Sequence, residues 1–214
     1  PFQAKSQKKN KSIMMNEEKT TANSCPAIIL SAGFSERMGQ PKALLKWDSS
    51  TTFIEKIINE FCSFNCTPVI CVINKSIEPD CRRLRVPSRV KFIINEHPES
   101  GRFSSVRTGI NEITEADFCF IHNVDNPFVN RDVISRLFAL RDPDAWCSPV
   151  YAGKGGHPVL IPFSVIRMIA NTHDLAITLA DILNSFPRIN MEMADDTPLR
   201  NINTQDDYKK YLGE

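Results

Sequence analysis

An α/β fold with three layers, helices on both sides of a mainly parallel sheet, is predicted from two observations. Short apolar runs rich in β-branched residues alternate with segments of helical periodicity from residue 27 to the C-terminal region. Two of those runs stop abruptly at small or acidic residues, Ser31-Ala32-Gly33 and Asp125, as strands do at the ligand-binding edge of such sheets. The elements follow in order. Ala27–Leu30 is the first strand. Phe53, Ile54, Ile57, Ile58 and Phe61 recur at helical spacing, with Thr51 or Thr52 as the N-cap. Val69–Ile73 is a second strand, followed by a short helix near Pro79–Leu84 and a third strand at Val90–Ile94. A helix is expected over Ser104–Ile113, capped by Ser104 or Ser105, then a strand over Phe118–Val124 that ends at Asp125. Helix 131–140, strand 145–150, a glycine turn at 153–156 and strand 158–161 come next. Helices near 164–170 and 175–185, a strand near 188–193 and a last helix from Thr204 complete the pattern.

The chain has 214 residues, 42% hydrophobic and 24% charged, which are the proportions of an ordinary globular protein. Residues 25–214 are expected to form a single domain, and residues 1–24 a disordered N-terminal extension. Pro1–Thr21 carries Lys, Gln, Asn and Glu with hardly any apolar periodicity, and it lacks the apolar core of a secretory signal. The consecutive Met14 and Met15 mark an expected translation start. A net charge of +1 argues for neither nucleic acid nor a membrane surface as partner. No apolar run approaches the roughly 20 residues of a transmembrane helix. Seven cysteines (25, 62, 66, 71, 81, 119 and 147) are an odd number without a CxxC pair, and no histidine near Cys62 and Cys66 completes a zinc spacing. A reduced, cytoplasmic protein is expected rather than a disulfide framework.

The richest segment follows the first strand. Leu30, Ser31, Ala32 and Gly33 leave room for backbone N–H groups to approach an anion, and Arg37 and Lys42 add two cations. A triphosphate needs these parts. Neither GxGxxG nor GxxxxGK[ST] occurs in the chain.

Residues 30–42, Leu-Ser-Ala-Gly-x-Ser-x-Arg-Met-Gly-x-Pro-Lys, resemble the signature of the MobA-like nucleotidyltransferases, and the likeness extends over about residues 26–212. It implies a Rossmann-like sheet of the nucleotide-diphospho-sugar transferase type. It also implies transfer of a nucleotidyl group from a nucleoside triphosphate, with release of pyrophosphate and dependence on Mg²⁺. On this resemblance Arg37 and Lys42 are catalytic and bind the triphosphate, where the plain alternative is two surface cations. Leu30, Ser31, Ala32 and Gly33 contact the nucleotide, Gly39 supplies backbone freedom and Met38 packs.

Phe118–Pro127 resembles the family's metal motif. Asp125 is then the Mg²⁺ anchor and a catalytic residue, or otherwise a turn residue, while His122 is a satisfied buried histidine. Asn95–Gly109 resembles the family's nucleotide-side loop, with Asn95, Gly101 and Ser104 as contacts and Arg107 as a further candidate. Gly155-Gly156-His157-Pro158-Val159 resembles the acceptor side of the molybdopterin cytidylyltransferase branch. His157 there binds the acceptor or simply fixes the turn.

Asn201-Ile-Asn203-Thr-Gln departs from the acidic residues of that branch. Asn203 is a second, uncharged metal ligand or the cap of the last helix. Ser-Ala-Gly and Gly-His-Pro-Val favour CTP; Asn-Ile-Asn-Thr leans to GTP. The expected activity is molybdenum cofactor cytidylyltransferase, with a phosphate-bearing acceptor of the molybdopterin type and a molybdoenzyme as maturation partner. The alternatives are guanylyl transfer, sugar-phosphate nucleotidyl transfer and a non-catalytic nucleotide-binding relative.

Overall fold

The structure, a computed structural model, describes residues 25–174 and 176–213. The expected extension at 1–24 and the start at Met14 lie outside the described residues.

The strands are β1 (Ala27–Ser31), β2 (Val69–Ile73), β3 (Val90–Ile94), β4 (Phe118–Asn123), β5 (Trp146–Tyr151), β6 (Lys154–Gly155), β7 (Val159–Pro162) and β8 (Arg188–Glu192). The helices are α1 (Phe53–Ser63), α2 (Glu78–Cys81), α3 (Arg102–Ile110), α4 (Arg131–Ala139), α5 (Phe163–Asn171), α6 (Leu179–Leu183) and α7 (Gln205–Leu212). One sheet runs β3-β2-β1-β4-β7-β5-β6, with β8 on the other side of β5. β1 to β4 are mutually parallel, β7 is antiparallel to both β4 and β5, and β8 is parallel to β5. The sheet is therefore mainly parallel, as predicted.

Alternation along the strands builds two cores, one per face. Ile29, Cys71 and Phe120 pack with Phe53, Ile57, Phe61, Ile134 and Leu137 of α1 and α4. Ile28, Ile70 and Ile121 pack on the other side with Val106, Ile110, Val165 and Ile169 of α3 and α5. Strands buried on both faces read as unbroken apolar runs, which is why β1 and β2 are visible in the sequence. Among the described residues no helix is long and apolar enough to cross a membrane.

Thr52 caps α1 in a capping box. Its hydroxyl accepts from the Glu55 N–H, and Glu55 Oε2 accepts from the Thr52 N–H at 2.9 Å. Two expectations are corrected here. The helix predicted from Ser104 begins at Arg102, because Gly101, at φ 89°, makes the turn into it; Ser104 and Ser105 are buried inside α3 and neither is its cap. The helix predicted over 175–185 is confined to Leu179–Leu183 by a capping box of Thr178 and Asp181.

Gly109 brings α3 so close to β1 that a Cβ there would lie 2.6 Å from Ile28 Cγ2. Gly109→Val is expected to lower the unfolding free energy by about 1–3 kcal/mol through overpacking. The urea midpoint should fall at constant slope; an unchanged midpoint would mean that the helix retreats without loss.

The chain order places the site. After β1 the path runs outward through β2 to β3, then returns to the opposite side of β1 as β4. A crevice opens where the order reverses, beyond the carboxyl ends of β1 and β4. Leu30 lies beside Asn123 there, and the Val124 N–H donates to the Leu30 carbonyl at 3.1 Å.

Candidate active site

The loop after β1 is held at its backbone. Asn74 Nδ2 donates to the Ala32 carbonyl at 3.0 Å, the Lys42 N–H to Ser35 Oγ at 3.2 Å and Gln205 Nε2 to the Met38 carbonyl at 2.9 Å. Met38 is buried, and Gly39, at φ 73°, takes a conformation that favours glycine. Gly33 is exposed, and Arg37 is exposed with no ion-pair partner among the described residues.

Lys42 projects between the β4 end and the segment before α7. Its Nζ donates to Asn203 Oδ1 at 2.6 Å and lies 3.7 Å from Asp125 Oδ2. Burial lowers the Lys42 pKa from the usual lysine value; Asp125 opposes that shift, and Arg37 and Arg102 add to it. Asn203 is not the cap of α7. Thr204 caps it, its hydroxyl accepting from the Asp207 N–H at 3.1 Å.

Two adjoining chambers meet over the sheet edge. The smaller, of about 210 Å³, is lined by Leu30, Ser31, Ala32, Gly33, Lys42, Gly101, Ser105, Asn123 and Asp125 among others. The larger, of about 640 Å³, is lined by His157 and Gly156, by Trp146 and Arg188, and by Ile177, Leu179 and Leu183 of the α6 region. Leu30, Gly101, Arg102 and Asn123 border both. A recess of about 420 Å³ on the far side of Lys42 is formed by Phe34, Ser35, Glu36, Arg37 and Asn203.

The structure thus gathers ten of the twelve predicted site residues around these neighbouring spaces: Leu30, Ser31, Ala32, Gly33, Arg37, Lys42, Gly101, Asp125, His157 and Asn203. It does not bring Asn95 and Ser104 to the walls. Asn95 Nδ2 donates to Ser104 Oγ at 2.8 Å and to Ser105 Oγ at 3.0 Å, and its Oδ1 accepts from the His97 N–H at 2.9 Å. Those groups tie the end of β3 to the start of α3. Ser105 reaches the small chamber instead. Arg102, Asn123, Trp146 and Arg188 were not read from the sequence. Only Arg102, beside the motif glycine, carried a local signal.

Three buried polar atoms around the crevice have no partner among the described residues: Ser31 Oγ, Asn123 Oδ1 and Asp125 Oδ1. Native proteins rarely leave such groups unpaired, so their concentration marks a place built for a polar ligand. Asp125 Oδ1 is the atom that fits a divalent cation: a hard, anionic oxygen, buried and uncommitted. No cluster of three or more His, Cys, Asp or Glu suited to a metal exists among the described residues, so one carboxylate would anchor the ion and the ligand's own oxygens would complete its shell.

Asn123 Nδ2 lies 2.7 Å from His157 Nε2 and donates to it when that nitrogen is unprotonated. Burial pushes the His157 pKa down to about 4, with Asp125 opposing, and pushes that of His122 down to about 3. His122 donates from Nε2 to the Asn126 carbonyl at 2.8 Å. Both imidazoles are neutral in the folded chain, whereas an unfolded histidine takes up its proton below about pH 6.5. Their stabilising contribution is therefore complete above pH 6.5 and is lost as pH falls towards the folded values. Between pH 6.5 and 5 the unfolding free energy should drop by up to about 1.4 kcal/mol per pH unit for each histidine. Urea titrations should show a shallower fall for His122→Gln; an unaltered slope would refute the assignment.

Residues 27–185 match the family model of the MobA-like NTP transferase domain. The chain is 30% identical over 136 residues to the molybdenum cofactor cytidylyltransferase of Escherichia coli K12, covering 63% of this chain and 68% of that protein. It is also 30% identical over 117 residues to a probable molybdenum cofactor guanylyltransferase of Clostridium perfringens strain 13. That match covers 54% of each, so the chain spans about half the length of that relative. Among solved structures, Rv0371c of Mycobacterium tuberculosis H37Rv superposes with a TM-score of 0.76 at 20% identity, covering 91% of this chain and 100% of that one. Its manganese complex gives 0.72 at 19% identity, covering 88% and 98%. The molybdopterin-guanine dinucleotide biosynthesis protein A of Archaeoglobus fulgidus gives 0.64 at 18% identity, covering 86% and 95%. These structures share the fold, and with a family model spanning all of β1 to α6, the chain belongs to the MobA-like NTP transferase family of nucleotidyltransferases.

Proposed function

We propose that this nucleotidyltransferase transfers the cytidylyl group of CTP to the terminal phosphate of a molybdopterin-type cofactor in a Mg²⁺-dependent reaction. The observation that carries the reading is the junction of the two chambers. A small cationic chamber with one free carboxylate oxygen opens, past Arg102 and Asn123, into a larger and mostly apolar one. The first suits a triphosphate and the second an acceptor with an extended body. The Ser-Ala-Gly and Gly-His-Pro-Val segments, together with the likeness to the E. coli cytidylyltransferase, favour cytosine over guanine.

In this reading an acceptor phosphate oxygen attacks the α-phosphorus of CTP. The bond from that phosphorus to the bridging oxygen breaks, and pyrophosphate leaves with the electron pair. A phosphate monoester is already ionised at neutral pH, so no general base is required. The protein's work is positioning and charge stabilisation. Ser31, Ala32 and Gly33 offer backbone N–H groups at the end of β1. Arg37 and Lys42 neutralise the departing pyrophosphate. Asp125, aided by Asn203, would hold Mg²⁺, which supplies positive charge to the triphosphate oxygens. Asn203 is engaged by Lys42, so its oxygen reaches a cation only when the ammonium turns to phosphate. His157, neutral and bonded to Asn123, orients the acceptor at the mouth of the larger chamber.

The test is pyrophosphate release with CTP, GTP, UTP or ATP plus Mg²⁺, with and without molybdopterin cofactor. Release with CTP that depends on the cofactor is the expected result. Release with GTP would change the product and retain the mechanism. Nucleotide binding without turnover under any combination would overturn the catalytic reading and point to a binding relative.

A further inference from the structure

The larger chamber has a one-sided charge balance. Arg102 and Arg188 line it, with no Asp or Glu among its described lining residues. Arg102 stands at the junction with the small chamber, beside the reacting end. Arg188 belongs to the far wall, on β8, where the residue is exposed but its guanidinium is anchored by its neighbours. β8 runs parallel to β5 with Arg188 opposite Trp146, and the guanidinium carbon lies 4.8 Å from the indole ring centroid. Trp146 is itself pinned, its Nε1–H donating to the Leu183 carbonyl at 2.9 Å. Arg188 donates from Nε and Nη2 to Ser148 Oγ at 3.2 and 2.8 Å, and Ser148 is 1% exposed. Across the turn, Gly155 leaves the space that the guanidinium occupies; a Cβ there would collide with Arg188 Nη2.

These contacts fix the orientation of a cation that no carboxylate pairs with, and its Nη1 has no partner among the described residues. A guanidinium held in this way is prepared for an oxyanion. Beside it, Trp146, Leu179 and Leu183 offer an apolar wall for a flat body.

We propose that Arg188, stacked on Trp146 and held by Ser148 beneath Gly155, is the specificity-determining residue of the acceptor chamber, selecting acceptors that carry a second anionic group at the end remote from the reacting phosphate. The inference rests on the assignment of this chamber to the acceptor.

Calorimetric titration of the full chain with phenyl phosphate, 4-carboxyphenyl phosphate, 2-naphthyl phosphate and 6-carboxy-2-naphthyl phosphate tests it; the two ring systems offer two spans. At least one carboxylated compound should bind about tenfold tighter than its parent. Arg188→Met should erase that preference while the parent affinity stays within about twofold. Gly155→Ala should do the same; it keeps the arginine and displaces only its flexible tip, so it tests placement without removing charge. Equal binding of parent and carboxylated compounds to the wild type, or a preference that survives both substitutions, overturns the proposal. Absence of the preference in the wild type, alongside intact cofactor-dependent pyrophosphate release, overturns this inference alone. If the preference holds while no nucleotide releases pyrophosphate, the reaction assigned to the site fails and the anion selection stands.

Discussion

Asp125→Ala is expected to lower pyrophosphate release by about a thousandfold or more, with little change in melting temperature. The two halves of this expectation have separate physical origins. The turn that carries Asp125 is held by the main chain: the Ile202 N–H donates to the Asp125 carbonyl at 2.7 Å, and Asn126 Nδ2 donates to the Pro198 carbonyl at 2.9 Å. Neither bond needs the carboxylate. Lys42 would also keep its bond to Asn203, so no buried cation is left bare. What disappears is Oδ1, among the described residues the one buried anionic oxygen without a partner in the crevice. Asp125→Asn should fall between the two, because an amide oxygen can ligate a hard cation but brings no charge to it. Raising the Mg²⁺ concentration should recover part of the Asn variant's rate and none of the Ala variant's. An Ala variant that turns over within about tenfold of the wild type would remove Asp125 from the chemistry.

Much of this site is visible in the chain because its parts are local. The small residues 31–33 and the cations at 37 and 42 lie in one short stretch at and just after the end of β1, and Asp125 lies two residues past the buried strand β4. The parts that stay hidden depend on pairings between distant segments. Arg188 and Trp146 meet only because β8 returns to lie parallel beside β5, a register that no local pattern announces. Asn123 is indistinguishable from a strand-end residue until His157 arrives against it across the sheet edge. The serines of α3 show the opposite error. Ser104 and Ser105 have the preferences of caps, yet Gly101 starts the helix earlier and their hydroxyls are taken by Asn95. Capping propensity yielded there to a tertiary hydrogen-bond network. The reading of Asn203 as a helix cap failed for a related reason, since Thr204 is adjacent and forms the complete capping box with Asp207.

Lys42→Met should lower the rate by about a hundredfold and at the same time strengthen divalent metal binding. The rate loss follows from its place between the two spaces on either side of the loop, where its ammonium faces the region assigned to the departing pyrophosphate. The gain in metal affinity follows from the same geometry. The ammonium is 2.6 Å from Asn203 Oδ1 and 3.7 Å from Asp125 Oδ2, so it occupies the field of both oxygens expected to serve a divalent cation. A cation entering there must displace or repel it, and partial burial limits the screening of that repulsion. Methionine keeps most of the side chain's length and apolar packing while removing the charge. Manganese titration followed by electron paramagnetic resonance should therefore show a lower dissociation constant in the variant, together with its lower rate. A loss of both would mean that Lys42 organises the oxygens instead of competing for them. Unchanged metal binding would separate Lys42 from the cation site altogether and confine its role to the triphosphate.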